Sequence, residues 1–250
     1  MKDLFKAKSK SPAQSGKKVS DRESSLAASS KSEVAAFLDQ VAKMPAQSGD
    51  ARLVFALDAT VSRQPTWDIA TELQADMFRT AGSLGGLSLQ LCYFRGLGEF
   101  FSSDWHSSGE ELLKLMTGIE CQAGATQLGK VLRHALKENE RRKIKGLVFI
   151  GDAMEENIDL VAQAAGKLGL LNVPLFMFQE RGDPSTRAAF MELCRLSGGA
   201  YSQFDAASAA QLGELLKAVA IYAAGGIKAL SDYSDHSGQN VKLLIQQLKF

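Results

Sequence analysis

Three short stretches of the chain bring together residues that can do chemistry. The first is Asp58-Ala59-Thr60-Val61-Ser62. In an extended segment, side chains two apart point the same way, so Asp58, Thr60 and Ser62 offer one carboxylate and two hydroxyls to one spot. The second is Gly124-Ala125-Thr126, a glycine-containing turn directly before a helical pattern. The third is Gly151-Asp152, at the end of an apolar run. Together they supply two carboxylates and three hydroxyls, all hard oxygen donors. Such donors suit Mg²⁺, or alternatively Mn²⁺ or Ca²⁺, and not Zn²⁺, which favours His and Cys. Two carboxylates match a divalent charge, and so few protein groups leave room for water or a partner's oxygen.

Other reactive residues lack such an arrangement. His106, His134 and His236 are scattered, and His134 reads as a solvated flank of its helix. Cys92, Cys121 and Cys194 are odd in number and have no metal-ligand spacing, which fits a reducing compartment and predicts a cytoplasmic protein, and Cys121 reads as a small packing residue and not a nucleophile. Glu155 and Glu156 follow Asp152 closely. They either deepen the negative field there or place favourable charge at the start of the next helix, and the helix role is preferred. No Gly-x-x-x-x-Gly-Lys-Ser/Thr occurs, and no Gly-x-Gly-x-x-Gly follows the first apolar run, so nucleotide binding is disfavoured.

The elements that must position these residues alternate. Leu53–Leu57, Leu87–Phe94, Gly146–Ile150, Val173–Phe178 and Ala200–Phe204 read as strands, with a short one at Glu99–Ser102. Helical spacing predicts helices from Pro65 through Met77 (Trp67, Ala70, Leu73 and Met77 inward), at Ser108–Met116, Gln127–Glu140, Ile158–Leu168, Ser185–Leu196 and Ala207–Tyr222. Alternation argues an α/β fold: a doubly wound, mostly parallel six-stranded sheet flanked by helices, with one short antiparallel edge strand. Ligands bind such sheets beyond the carboxyl ends of the strands, where strand order reverses. All three stretches fall at predicted strand or helix ends.

Composition sets the boundaries. Of 250 residues, 1–31 carry eight Lys or Arg against three acidic residues, leaving the rest at −4. Residues 1–31 hold few large apolar groups and are expected to be a disordered basic tail. Residues 32–50 are expected to form a short helix and linker, 51–225 the domain, and 226–250 a C-terminal extension. The mildly acidic domain disfavours nucleic acid as a partner. No run approaches the roughly 18 apolar residues of a membrane span, so no membrane partner is expected.

At the motif level the sequence resembles the von Willebrand factor type A (VWA) domains. Their metal-ion-dependent adhesion site (MIDAS) uses Asp-x-Ser-x-Ser, a Thr in a later glycine-containing loop, and an Asp after the fourth strand. Asp58, Thr60 and Ser62 match the first element, Thr126 the second and Asp152 the third, with Thr60 standing where Ser is usual. The resemblance runs from about Arg52 to Ala224 and takes in Ser197-Gly198-Gly199-Ala200-Tyr201 before the last strand. It implies a Rossmann-like VWA fold and a non-enzymatic module that binds a partner's Asp or Glu through a bound metal. For bacterial-type members it implies work in multiprotein assemblies, with AAA+ ATPases among the partners.

Two rival readings stand beside it. A metal-free VWA scaffold would follow if Thr60 marks loss of the ion. Asp58-Ala59-Thr60-Val61-Ser62 is also similar to the nucleophile motif of haloacid dehalogenase-like Mg²⁺-dependent phosphatases, in which Asp58 would attack a phosphoryl group. Against that reading, Thr60 replaces the usual second acid and Val61 the usual glycine.

Overall fold

The computed structural model describes residues 51–67, 75, 78, 87–205 and 209–236. The expected tail, short helix and linker, and the segment from Val241, lie outside the described residues. Strands β1 (Ala51–Asp58), β2 (Leu87–Arg95), β3 (Glu99–His106), β4 (Gly146–Gly151), β5 (Leu175–Glu180) and β6 (Ala200–Phe204) form one sheet in the order β3-β2-β1-β4-β5-β6. All neighbours pair in parallel except β2 with β3. The antiparallel edge strand is eight residues long and bulged, not the short strand expected. It extends because Ser103 continues the ladder from within: its Oγ accepts from the Leu91 N–H at 3.0 Å and its carbonyl from Gln90 Nε2 at 2.9 Å.

Helices α1 (Gly109–Thr117), α2 (Leu128–Arg141), α3 (Ile158–Leu170), α4 (Pro184–Ser197) and α5 (Ala209–His236) cover the sheet. β1 is buried along its whole length and feeds both faces in alternation. Leu53, Phe55 and Leu57 pack with Leu112 and Met116 of α1 and with Leu212, Leu216 and Val219 of α5. Val54 and Ala56 pack on the other face with Val131 and Leu132 of α2, Val161 and Leu168 of α3, and Phe190 and Leu193 of α4. A strand buried on both sides has no use for polar alternation, which is why its sequence is a continuous apolar run.

Local chemistry fixes the helix ends. Asp183 caps α4 by accepting the Thr186 N–H at 2.6 Å, with Pro184 in the first turn, and Gly198 ends it in the left-handed region at φ 70°. After β1 the chain makes a 3-10 turn over Val61–Thr66, and Trp67, Ala75 and Phe78 beyond it are buried. Ala70, Leu73 and Met77 lie outside the described residues. The last helix continues well past Tyr222, and among the described residues no helix is long and apolar enough to cross a membrane.

Strand order reverses between β1 and β4. Asp58 is the last residue of β1, one position past the Leu57–Ile150 pair with β4, and Asp152 follows Gly151 directly. The two carboxylates therefore flank the switch point of the sheet, at its carboxyl edge.

Candidate metal centre

Asp58 begins an Asx turn. Its Oδ1 accepts the Thr60 N–H at 2.9 Å, and the Thr60 and Ser62 hydroxyls lie 3.0 Å apart. The three residues meet through this turn and the 3-10 turn that begins at Val61, and not through the extended segment expected. Asp58, Thr60 and Asp152 are buried, whereas Ser62 is exposed and marks the open side. Gly151 makes the closeness of the two strand ends possible: a methyl group there would meet the Phe149 ring at 2.8 Å and Asp58 Cβ at 3.3 Å.

Thr126 arrives by a different route. The loop between α1 and α2 pairs with the end of the β1 segment: Gln122 N–H donates to the Ala59 carbonyl at 3.0 Å, and Val61 N–H donates to the Gln122 carbonyl at 3.2 Å. Further on, Thr126 N–H donates to Glu155 Oε2 at 3.1 Å, while Glu155 N–H donates to Thr126 Oγ1 at 2.9 Å. Thr126 is thereby locked to the β4–α3 loop, three residues beyond Asp152. Its hydroxyl keeps one lone pair for a further partner. Glu156 accepts the Gly129 N–H at 3.0 Å. Both glutamates therefore serve the N-terminal end of α2, the preceding helix, and not the start of the following one.

Electrostatics set the two aspartates apart from ordinary buried polar groups. Asp58 Oδ2 and Asp152 Oδ1 are buried and accept no hydrogen bond among the described residues. A buried carboxylate oxygen without a partner is costly and uncommon. Burial pushes the Asp58 carboxyl up to about 6, against the pull of the Thr60 hydrogen bonds and the Arg63 charge, and the charge of Asp152 adds to the rise. Two unsatisfied anionic oxygens from adjacent strand ends, with neutral hydroxyls alongside, fit a hard divalent cation. Asp58, Thr60, Ser62, Thr126 and Asp152 would be the residues to hold it.

Three charged residues of the site are absent from the motif. Arg63, fully buried, donates through Nε to Glu180 at 2.8 Å and through Nη1 to the Asp58 carbonyl at 2.8 Å. Arg181 donates through Nη2 to the Ser62 carbonyl, and its Nη1 lies 3.7 Å from Asp152 Oδ2. Glu180 and Arg181 were legible by position, since they too end a strand at the carboxyl edge. Arg63 carried no such signal. His134 is also not a solvated flank residue: its Nε2 pairs with Gln90 Oε1 at 2.8 Å and its ring packs against Phe100.

No protein-family model and no curated protein matches the sequence. Solved structures do match. The PilB minor pilin from Streptococcus sanguinis is 11% identical with a TM-score of 0.55, over 78% of this chain and 64% of the pilin. A von Willebrand factor type A structure from Catenulispora acidiphila is 14% identical with a TM-score of 0.52, over 71% of this chain and 43% of its own. Proximal thread matrix protein 1 of the mussel byssus, solved with a zinc-occupied MIDAS motif, is 13% identical with a TM-score of 0.51, over 69% and 46%. This chain thus spans less than half the length of the last two. At such identities the likeness carries the fold, and the fold of this chain is that of a von Willebrand factor type A domain.

Proposed function

We propose that the domain is a non-enzymatic protein-binding module that holds a divalent cation, Mg²⁺ or alternatively Mn²⁺ or Ca²⁺, at a MIDAS-like site and uses it to bind an Asp or Glu of a partner protein. The observation that carries the reading is the pair of unsatisfied buried oxygens, Asp58 Oδ2 and Asp152 Oδ1, at the switch point of the sheet. When bound, the ion would supply positive charge for an incoming carboxylate. Asp58 and Asp152 would provide the charged ligands. The Thr60, Ser62 and Thr126 hydroxyls are neutral, so the ligand set leaves a divalent ion only just neutralised. Ser62 lies on the solvent side, where a partner could approach.

The neighbouring structures support this use of the fold, one of them by its zinc-occupied MIDAS motif. The setting that the resemblance implies is a multiprotein assembly or one linked to an AAA+ ATPase, and the cysteine pattern points to the cytoplasm. The test is a peptide array carrying Asp or Glu in varied contexts, with Asn and Gln counterparts, probed with the full chain. Binding should require Mg²⁺ or Mn²⁺, vanish with chelator and in Asp58→Ala, and be lost when the acid is replaced by its amide. Acid-dependent binding that survives both chelator and Asp58→Ala would refute the reading.

A further inference from the structure

The geometry points to Arg181 as a built-in counter-cation that opposes entry of a metal ion and so sets the metal affinity of the site. This rests on the divalent-cation reading above.

Arg181 is held at the rim by its backbone. It adopts φ 63°, in the left-handed region that residues with a Cβ rarely enter, and its N–H donates to the Phe204 carbonyl at 3.1 Å. The residue before it, Glu180, is turned inward and buried against Arg63. The sharp change of direction after β5 therefore sends one side chain into the protein and the next one over the carboxyl edge. There the Arg181 guanidinium spans the two segments that would hold the ion: Nη2 donates to the Ser62 carbonyl, and Nη1 faces Asp152 Oδ2.

The two arginines of the site differ in kind. Arg63 has no exposure, and its bond to Glu180 is short and directional. Arg181 is 51% exposed, and its 3.7 Å approach to Asp152 is a charge contact beyond hydrogen-bond range. The first is enclosed, whereas the second stands at the surface with its Nη2 on the Ser62 carbonyl. Arg181 also uses the Asp152 oxygen other than the unsatisfied one, so it offsets the negative charge without filling the vacant acceptor.

The charge balance gives the consequence. Asp58 and Asp152 provide the attraction for a cation. Arg63 is matched by Glu180, whereas Glu155, held by the neutral Thr126 N–H, keeps its negative charge and adds to the attraction. Arg181 is left as the cation facing the site from the rim. A divalent ion arriving beside it meets repulsion several ångströms away through partly hydrated surroundings. Such repulsion is worth on the order of tenfold in affinity. The guanidinium opposes the ion from where it stands beside Asp152, and salt would weaken the opposition by screening.

The test is Mn²⁺ titration of the full chain by calorimetry, for the unaltered protein, Arg181→Ala, Arg181→Gln, Arg181→Lys and Asp58→Ala, with thermal melts to confirm folding. Both neutral variants should bind Mn²⁺ about tenfold more tightly than the unaltered protein, and Arg181→Lys should stay near it. The gap should shrink as salt is raised from low to high. Mn²⁺ binding by the neutral variants alone would be the strongest support. Equal or weaker binding in both neutral variants, with Asp58→Ala still abolishing it, would overturn the role of Arg181 and leave the metal site standing. No Mn²⁺ binding by any variant would overturn both.

Discussion

The Nε of Arg63 donates to Glu180 at 2.8 Å in a pair with almost no exposure, and the same guanidinium holds the Asp58 carbonyl at 2.8 Å. This pair fastens the turn after β1 to the end of β5. The candidate site is thereby seated on a rigid base, although its ligands come from three separate loops.

Breaking that pair leaves an uncompensated buried charge. Arg63→Met should destabilise the domain by about 3–5 kcal/mol, and Glu180→Gln should be destabilising in the same direction. Urea denaturation measures it. A change within about 0.5 kcal/mol, the range of an ordinary surface substitution, would show that the pair is not what holds the turn.

The Asp58 carboxyl should make metal-free stability fall with pH. Its folded value, about 6, lies above the ordinary value of 3.8. The folded state therefore holds the proton more tightly, and the contribution is fully present below about pH 4 and lost as pH rises through 6. Asp58→Asn should remove this slope and raise stability in chelator at pH 7.5 by about 3 kcal/mol, with only about a third of that gain at pH 4.5. Conversely, metal-induced stabilisation of the unaltered protein should fade below pH 6. Melting curves at the two pH values, with chelator and with Mg²⁺, check both signs.

Gly124 lets the Thr126 loop lie against the β2–β3 turn. A methyl group there would stand 2.0 Å from the Gly96 carbonyl oxygen, a contact that backbone cannot absorb without moving. Gly124→Ala should cost about 1–3 kcal/mol and should weaken Mn²⁺ binding, because Thr126 moves with the loop. Calorimetry and a thermal melt on the same sample separate the two effects. Unchanged metal affinity would show that the position of Thr126 does not matter to the site.

Most of the architecture was legible because its central strands β1, β4 and β5 are buried along their whole length and read as largely apolar runs. The Asp58-x-Thr60-x-Ser62 spacing was legible for an equally local reason: the Asx turn that gathers these side chains is made by residues two apart. What the sequence hid is non-local. Arg63 and Glu180 are 117 positions apart. The reciprocal bonds of Thr126 and Glu155 span 29 positions and assign Glu155 to the helix before it, α2, which no local pattern signals. The length of β3 depends on Ser103, whose hydroxyl closes a ladder bond that periodicity does not reveal.

The protein should not hydrolyse phosphate esters. Thr60 and Val61 stand where a phosphatase of the haloacid dehalogenase type wants an acid and a glycine. With Mg²⁺ and generic phosphate esters, turnover should not exceed that of Asp58→Asn. Robust hydrolysis dependent on Asp58 would make the protein an enzyme.

The central claim is that Asp58 and Asp152 share one divalent cation. An anomalous difference map from crystals grown in millimolar Mn²⁺ tests it most directly. The account predicts a single peak at the carboxyl edge between β1 and β4, within direct or one-water reach of both carboxylates, with direct oxygen contacts at about 2.0–2.6 Å, and no peak in crystals of Asp58→Ala. A well-ordered edge without a peak, or a peak that Asp58→Ala leaves in place, would contradict it.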